Sequence, residues 1–134
     1  MMPELPDGTN VLGVGTDLIE VDRVRSSIQS HADRFIEKVF TSTERTYCEG
    51  MADPVPHFAA RFAAKEAISK AFRTGIGGEF GWHDAEIENG SAGEPHVRLS
   101  EKGVALLEER GGSKILISLS HLSTMAMAVV VIVS

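Results

Sequence analysis

Between His57 and Arg73 the chain reads HFAARFAAKEAISKAFR, with six alanines and neither glycine nor proline. No other stretch limits the fold so strongly. Alanine loses no side-chain entropy on entering a helix, and the run is long enough for that preference to accumulate. Pro56 suits the first helical position, where a missing N–H leaves no bond unmade. The pattern predicts a helix over 57–73, followed by the flexible loop Gly75-Ile76-Gly77-Gly78. At about 100° per residue, Ala64, Ala67, Ile68 and Ala71 face one way and suit burial. Ala59, Phe62, Ala63, Lys70 and Arg73 share a sector with Glu66, so a charged stripe runs beside small side chains that leave room.

The remaining pattern is that of an α+β chain. Val11 to Thr16 reads as a strand, and Asp22 to Gln29 and Ala32 to Phe40 as helices. Thr41 and Glu44 form a capping box that opens another helix, closed at Gly50. Asp84 to Glu88 and His96 to Leu99 read as strands joined by the Gly- and Ser-containing segment 89–95. Ser100 caps a helix running to Arg110. Lys114 to His121 and Thr124 to Val133 form a terminal hairpin. The expectation is a small, mostly antiparallel sheet with one long alanine-rich helix. At 134 residues the length suits one domain. That domain is placed at 11–134, and Pro3, Pro6 and Gly8 make residues 1–10 a loose leader.

Composition excludes several classes. A net charge of −6 argues against a general nucleic-acid binder, which needs basic surface to displace counterions. Met125 to Val133 is wholly apolar but far shorter than the ~20 residues of a membrane helix. The first ten residues carry no Lys or Arg and no apolar run, so they do not form a secretory signal. Cys48 is the only cysteine, which rules out an intrachain disulfide and a cysteine zinc site. A cytoplasmic setting follows as the default.

Two places carry candidate chemistry. Asp17 follows Leu12-Gly13-Val14-Gly15-Thr16, where the backbone is tight enough to approach a ligand closely. Alone, it reads as a turn aspartate or a helix N-cap. Glu66 lies on the alanine helix one turn before Lys70, and alone the two read as a solvated i,i+4 pair. Together, two carboxylates with phosphate oxygens and water would satisfy Mg²⁺, which keeps few protein ligands. Lys65 and Lys70 would neutralise the remaining phosphate charge. Gly75 to Gly78 offers backbone groups, but no Walker sequence follows. His121 ends a strand, and is either a turn histidine or a hydrogen-bond donor to phosphate or a proton shuttle. His31, His57, His83 and His96 lack metal-ligand spacing and read as surface or loop residues.

These pieces jointly resemble the holo-(acyl-carrier-protein) synthase family, the small bacterial-type phosphopantetheinyl transferases. The resemblance runs from Val11 to Val133. It is carried by Gly13-Val14-Gly15-Thr16-Asp17 with Arg23, Arg61-Phe62-Ala63-Ala64-Lys65-Glu66-Ala67 with Lys70, Gly75-Ile76-Gly77, Gly93-Glu94-Pro95 and Ser118-Leu119-Ser120-His121. It implies transfer of the phosphopantetheine arm of coenzyme A to a serine of an apo acyl carrier protein, releasing adenosine 3′,5′-bisphosphate. It implies Mg²⁺ held by Asp17 and Glu66, with Lys70 near the phosphates. Gly75, Ile76, Gly77, Pro95 and His121 would lie near the nucleotide. Arg23 would face the acidic carrier helix. A phosphopantetheinyl transferase fold assembled as a homotrimer, with sites between subunits, is also implied. Phe62 departs from the tryptophan of many relatives, and Leu122 from a polar residue in some.

In the mechanism expected, the serine hydroxyl attacks the β-phosphorus of coenzyme A, with Glu66 and Lys70 as catalytic groups. Two rival readings remain. One is a metal-dependent phosphohydrolase using the same carboxylates, and the other is a non-catalytic coenzyme A-binding module.

Overall fold

The computed structural model describes residues 7–134. Its strands are β1 (Val11–Glu20), β2 (Ala85–Asn89), β3 (Pro95–Leu99), β4 (Lys114–His121) and β5 (Met125–Val133). Its helices are α1 (Val21–His31), α2 (Asp33–Val39), α3 (Ser42–Glu49), α4 (Pro54–Phe72) and α5 (Glu101–Glu109). A short 3₁₀ turn, Trp82–Asp84, leads into β2. The strands form a three-stranded sheet in the order β1-β5-β4 and a separate β2-β3 ribbon, both antiparallel. The α+β expectation therefore holds, with the strands divided between two sheets. Of the expected leader, residues 1–6 lie outside the described part. Asn10 is tied to the other terminus by paired 3.0 Å hydrogen bonds with Ser134.

Helix α4 starts earlier than its alanines suggest. Asp53 is the N-cap, its side chain accepting from Val55 N–H at 3.2 Å, and Pro54 takes the first helical position expected for Pro56. Both prolines fall in the first turn, where N–H groups have no helical partner. The helix ends at Arg73, which is left-handed at φ 64°. It is buried on nearly every side, between the three-stranded sheet and the other helices. Phe58, Ile68 and Phe72 are almost completely enclosed. Each contributes about 1.5–3 kcal/mol by leaving water. Ala59 and Ala63, expected to line the open sector, are fully buried as well. Beyond its first turn, the part of α4 left open is a narrow stripe through Phe62, Glu66 and Lys70.

The glycines of β1 explain how the strand meets this helix. A Cβ on Gly13 would run into the carbonyl of Ala71, and one on Gly15 into the carbonyl of Ala67. Glycine against alanine lets the strand approach α4 more closely than larger side chains allow. The close approach read from Gly13-Val14-Gly15 is thus to the helix, not to a ligand.

Strand β1 runs on to Glu20 instead of ending at Thr16, because β5 supplies partners as far as Glu20↔Met125. Beyond it, α1 begins at once. The capping box read at Thr41 is present: Thr41 Oγ1 accepts from Glu44 N–H at 3.3 Å, and Glu44 Oε1 accepts from Thr41 N–H at 2.9 Å. Ser100 caps α5 as expected, accepting from Gly103 N–H at 3.1 Å. The outward face of the three-stranded sheet exposes Val14, Leu18 and Met127.

Candidate active site

Asp17 sits within β1, opposite Ala128 of β5, and not in a turn after the strand. It shares the inward-leaning side of the strand with Gly15 and Ile19. The cap of α1 is Glu20, whose side chain makes no capping bond. An N-cap role for Asp17 is therefore ruled out, and its carboxylate is held on a hydrogen-bonded strand. Asp17 and Glu66 line one groove of about 300 Å³, bounded also by Leu18, Ile19, Arg23, Val24, Ser27, Phe35 and Phe62.

The electrostatics agree with that convergence. Burial pushes the Glu66 carboxyl above its ordinary value, the charge of Asp17 pushes it further, and Lys70 pulls the other way. Lys70 Nζ lies 3.1 Å from Asp17 Oδ1 and donates to the Thr16 carbonyl at 3.0 Å. Two like charges in a half-buried groove favour a cation between them. Among the described residues no cluster of three or more His, Cys, Asp or Glu side chains forms a complete metal cage. The donor set fits Mg²⁺ all the same, because Mg²⁺ takes one or two carboxylates and completes its shell with phosphate and water.

Arg23, exposed on α1, stands on the rim of the same groove. Lys65 does not reach it. Its ammonium is fully buried, 2.7 Å from Glu44 Oε1 and donating to the Trp82 carbonyl at 2.7 Å. Being next to Glu66 in sequence turns Lys65 about 100° around the helix, toward α3 and the turn before β2. The phosphate contact expected of Lys65 is therefore replaced by a buried ion pair.

The other expected nucleotide residues lie outside the groove lining in this chain. Gly75 is left-handed at φ 65°, and Gly77 N–H closes the loop onto the Phe80 carbonyl at 2.8 Å. Ile76 leans on the core. Pro95 opens β3 opposite Asn89. His121 ends β4, with its ring centroid 5.0 Å from that of His57.

Around His121 lies a group that the sequence reading missed. Arg61 is buried, its guanidinium 4.2 Å from the Tyr47 ring centroid and hydrogen-bonded to Asn89 Oδ1. Its Nε has no hydrogen-bond partner. Burial lowers the pKa of His57, and the nearby His121 and Arg61 lower it further. The available signal was the spacing of His57 and Arg61, one turn apart on α4. A second feature missed is the aromatic wall: Phe35 stacks on Phe62 at 6.3 Å, and Phe62 meets Trp82 at 5.0 Å.

Comparison with known proteins gives concordant matches. A family model described as the 4′-phosphopantetheinyl transferase superfamily matches residues 13–130. The holo-[acyl-carrier-protein] synthase of Chlamydia muridarum (strain MoPn / Nigg) is 45% identical over 121 residues, covering 90% of this chain and 94% of that protein. A crystal structure of the Neisseria meningitidis holo-[acyl-carrier-protein] synthase superposes with a TM-score of 0.86 at 30% identity, covering 92% of this chain and 98% of the other. The Bacillus anthracis enzyme, in complex with CoA (3′,5′-ADP), superposes with a TM-score of 0.78 at 34% identity, covering 92% and 97%.

Proposed function

The chain belongs to the 4′-phosphopantetheinyl transferase superfamily, and we propose that it transfers phosphopantetheine from coenzyme A to a serine of an apo acyl carrier protein. The observation that carries the site is the convergence of Asp17 and Glu66 on one groove, with Lys70 beside them. In the reaction, the serine Oγ forms a bond to the β-phosphorus. The bond from that phosphorus to the bridging oxygen breaks, and adenosine 3′,5′-bisphosphate leaves.

Transfer of this kind depends on positioning and charge neutralisation more than on covalent help from the protein. Asp17 and Glu66 are the residues that would hold Mg²⁺. When bound, the metal supplies charge stabilisation on the diphosphate oxygens. Lys70 stabilises the negative charge gathering on the leaving group. Glu66 is the group placed to take the serine proton, directly or through a water. Phe35 and Phe62 limit water at the apolar side of the groove. Arg23 meets the acidic carrier at the rim.

The nucleotide residues come from a neighbouring subunit in this reading. Gly75, Ile76, Gly77, Pro95 and His121 do not line the groove of their own chain, which leaves them free to serve the groove of a neighbour. The outward sheet face, with Val14, Leu18 and Met127 exposed, suits burial against copies of itself in a homotrimer. Light scattering at working concentration should give a trimer mass, and a monomer would contradict that assembly. No helix among the described residues is long and apolar enough to cross a membrane. With a single buried thiol at Cys48, we place the protein in the cytoplasm.

The test is incubation with coenzyme A, Mg²⁺ and an apo carrier protein, read by intact mass. A carrier gaining one phosphopantetheine supports the proposal. Phosphopantetheine released to water would instead identify a phosphohydrolase, and binding without turnover a coenzyme A-binding module.

A further inference from the structure

Lys70 has an ordinary partner one turn back on its own helix, Glu66, at the i,i+4 spacing that favours a pair. Its ammonium nevertheless reaches across to β1. It lies 3.1 Å from Asp17 Oδ1 and donates to the Thr16 carbonyl at 3.0 Å. It therefore holds the carboxylate that the proposed metal site also needs. The two sides of this contact differ in freedom. The Asp17 side chain is 17% exposed on a hydrogen-bonded strand, whereas that of Lys70 is 52% exposed at the end of a flexible stem. If one partner moves, it is the lysine.

We infer that Lys70 acts as a placeholder cation on Asp17, released by the diphosphate of coenzyme A, so that substrate and divalent cation enter together. This rests on the transfer reading of the groove. A divalent cation arriving alone must break the Lys70–Asp17 pair and then sit beside a displaced ammonium, whose charge repels it. A diphosphate removes both obstacles. Its oxygens give Lys70 new acceptors, and its negative charge attracts the metal to the carboxylates that Lys70 vacates. Until then, the ammonium keeps Asp17 paired and partly offsets its repulsion of Glu66. Lys70 thus acts twice, first on Asp17 and then on the phosphate.

The experiment measures Mn²⁺ binding by electron paramagnetic resonance on the full chain, with and without coenzyme A and with no carrier present. Wild type, Lys70→Met and Asp17→Asn are compared, with Lys70→Gln as the substitute should the methionine variant fail to fold. Wild type should bind Mn²⁺ weakly alone and about tenfold or more tightly with coenzyme A. Lys70→Met should bind Mn²⁺ alone about fivefold more tightly than wild type, the scale of a partly exposed ion pair. It should also gain less from coenzyme A. If Lys70→Met binds Mn²⁺ alone no better than wild type, while Asp17→Asn abolishes the coenzyme A-promoted binding, the placeholder role is wrong and the transfer site stands. If Asp17→Asn leaves that promoted binding intact, the metal site itself is misplaced and the placeholder role falls with it.

Discussion

Replacing Lys65 with methionine separates two views of this residue. Its ammonium is fully buried, 2.7 Å from Glu44 Oε1 and bonded to the Trp82 carbonyl at 2.7 Å. Glu44 is equally buried, and also accepts from Thr41 N–H at 2.9 Å and Ile87 N–H at 2.8 Å. The pair therefore joins α3, α4, β2 and the turn before it. Methionine fills the stem but strands the Glu44 charge away from water. Breaking a buried pair in this way costs about 3–5 kcal/mol. For a domain of this size that is a fall in Tm of roughly 10–20 °C. Glu44→Gln together with Lys65→Met removes the stranded charge and keeps an acceptor for the backbone N–H groups, so it should recover at least half of the loss. Calorimetric melts at fixed protomer concentration decide the matter. A Lys65→Met protein melting within about 3 °C of wild type, yet unable to bind coenzyme A, would refute the buried-pair reasoning. It would return Lys65 to the phosphates.

Gly15→Ala drives a methyl group into the α4 backbone at Ala67, and overpacking there should cost about 1–3 kcal/mol. Transfer rate should fall with stability as Asp17 and Glu66 part, and an equally stable, equally active variant would contradict the close packing. Burial pushes the Cys48 thiol from 9.0 to about 12, so thiol reagents at pH 8 should label it far more slowly in the folded than in the urea-unfolded chain. Because its folded pKa is raised, the native state holds more protons between those values. Its share of stability is full below pH 9.0 and should be lost as pH rises toward about 12 in alkaline denaturation. Arg23→Glu should raise the KM for the carrier more than that for coenzyme A, and an unchanged carrier KM would remove Arg23 from docking.

The sequence made some parts of this structure legible because their signals are local. The capping box at Thr41 and Glu44, the Ser100 cap and the apolar terminal hairpin depend on residues a few positions apart, and each formed where read. The length of β1 did not, because residues 17–20 become strand through pairing with Met125–Ala128, distant in sequence. Hence Asp17 looked like a turn residue. The surroundings of α4 were hidden for the same reason. Alanines at 59 and 63 suit an open face or a packed one equally, and only the elements packed around them decide. Lys65 misled because lysines are seldom buried, and its partner lies in α3. The carboxylate pair was legible because Glu66 and Asp17 are the acidic groups of two recognisable motifs. The cluster of Tyr47, His57, Arg61 and His121 was not, since it draws on three separate elements.

If Asp17 and Glu66 together form the transfer site, Asp17→Asn and Glu66→Gln must each slow modification of the carrier severely. Intact mass of an apo carrier protein, followed over time with coenzyme A, Mg²⁺ and each variant verified as folded by circular dichroism, measures this. Both variants should lose about 100-fold or more in rate. Near wild-type phosphopantetheinylation by either folded variant would contradict it.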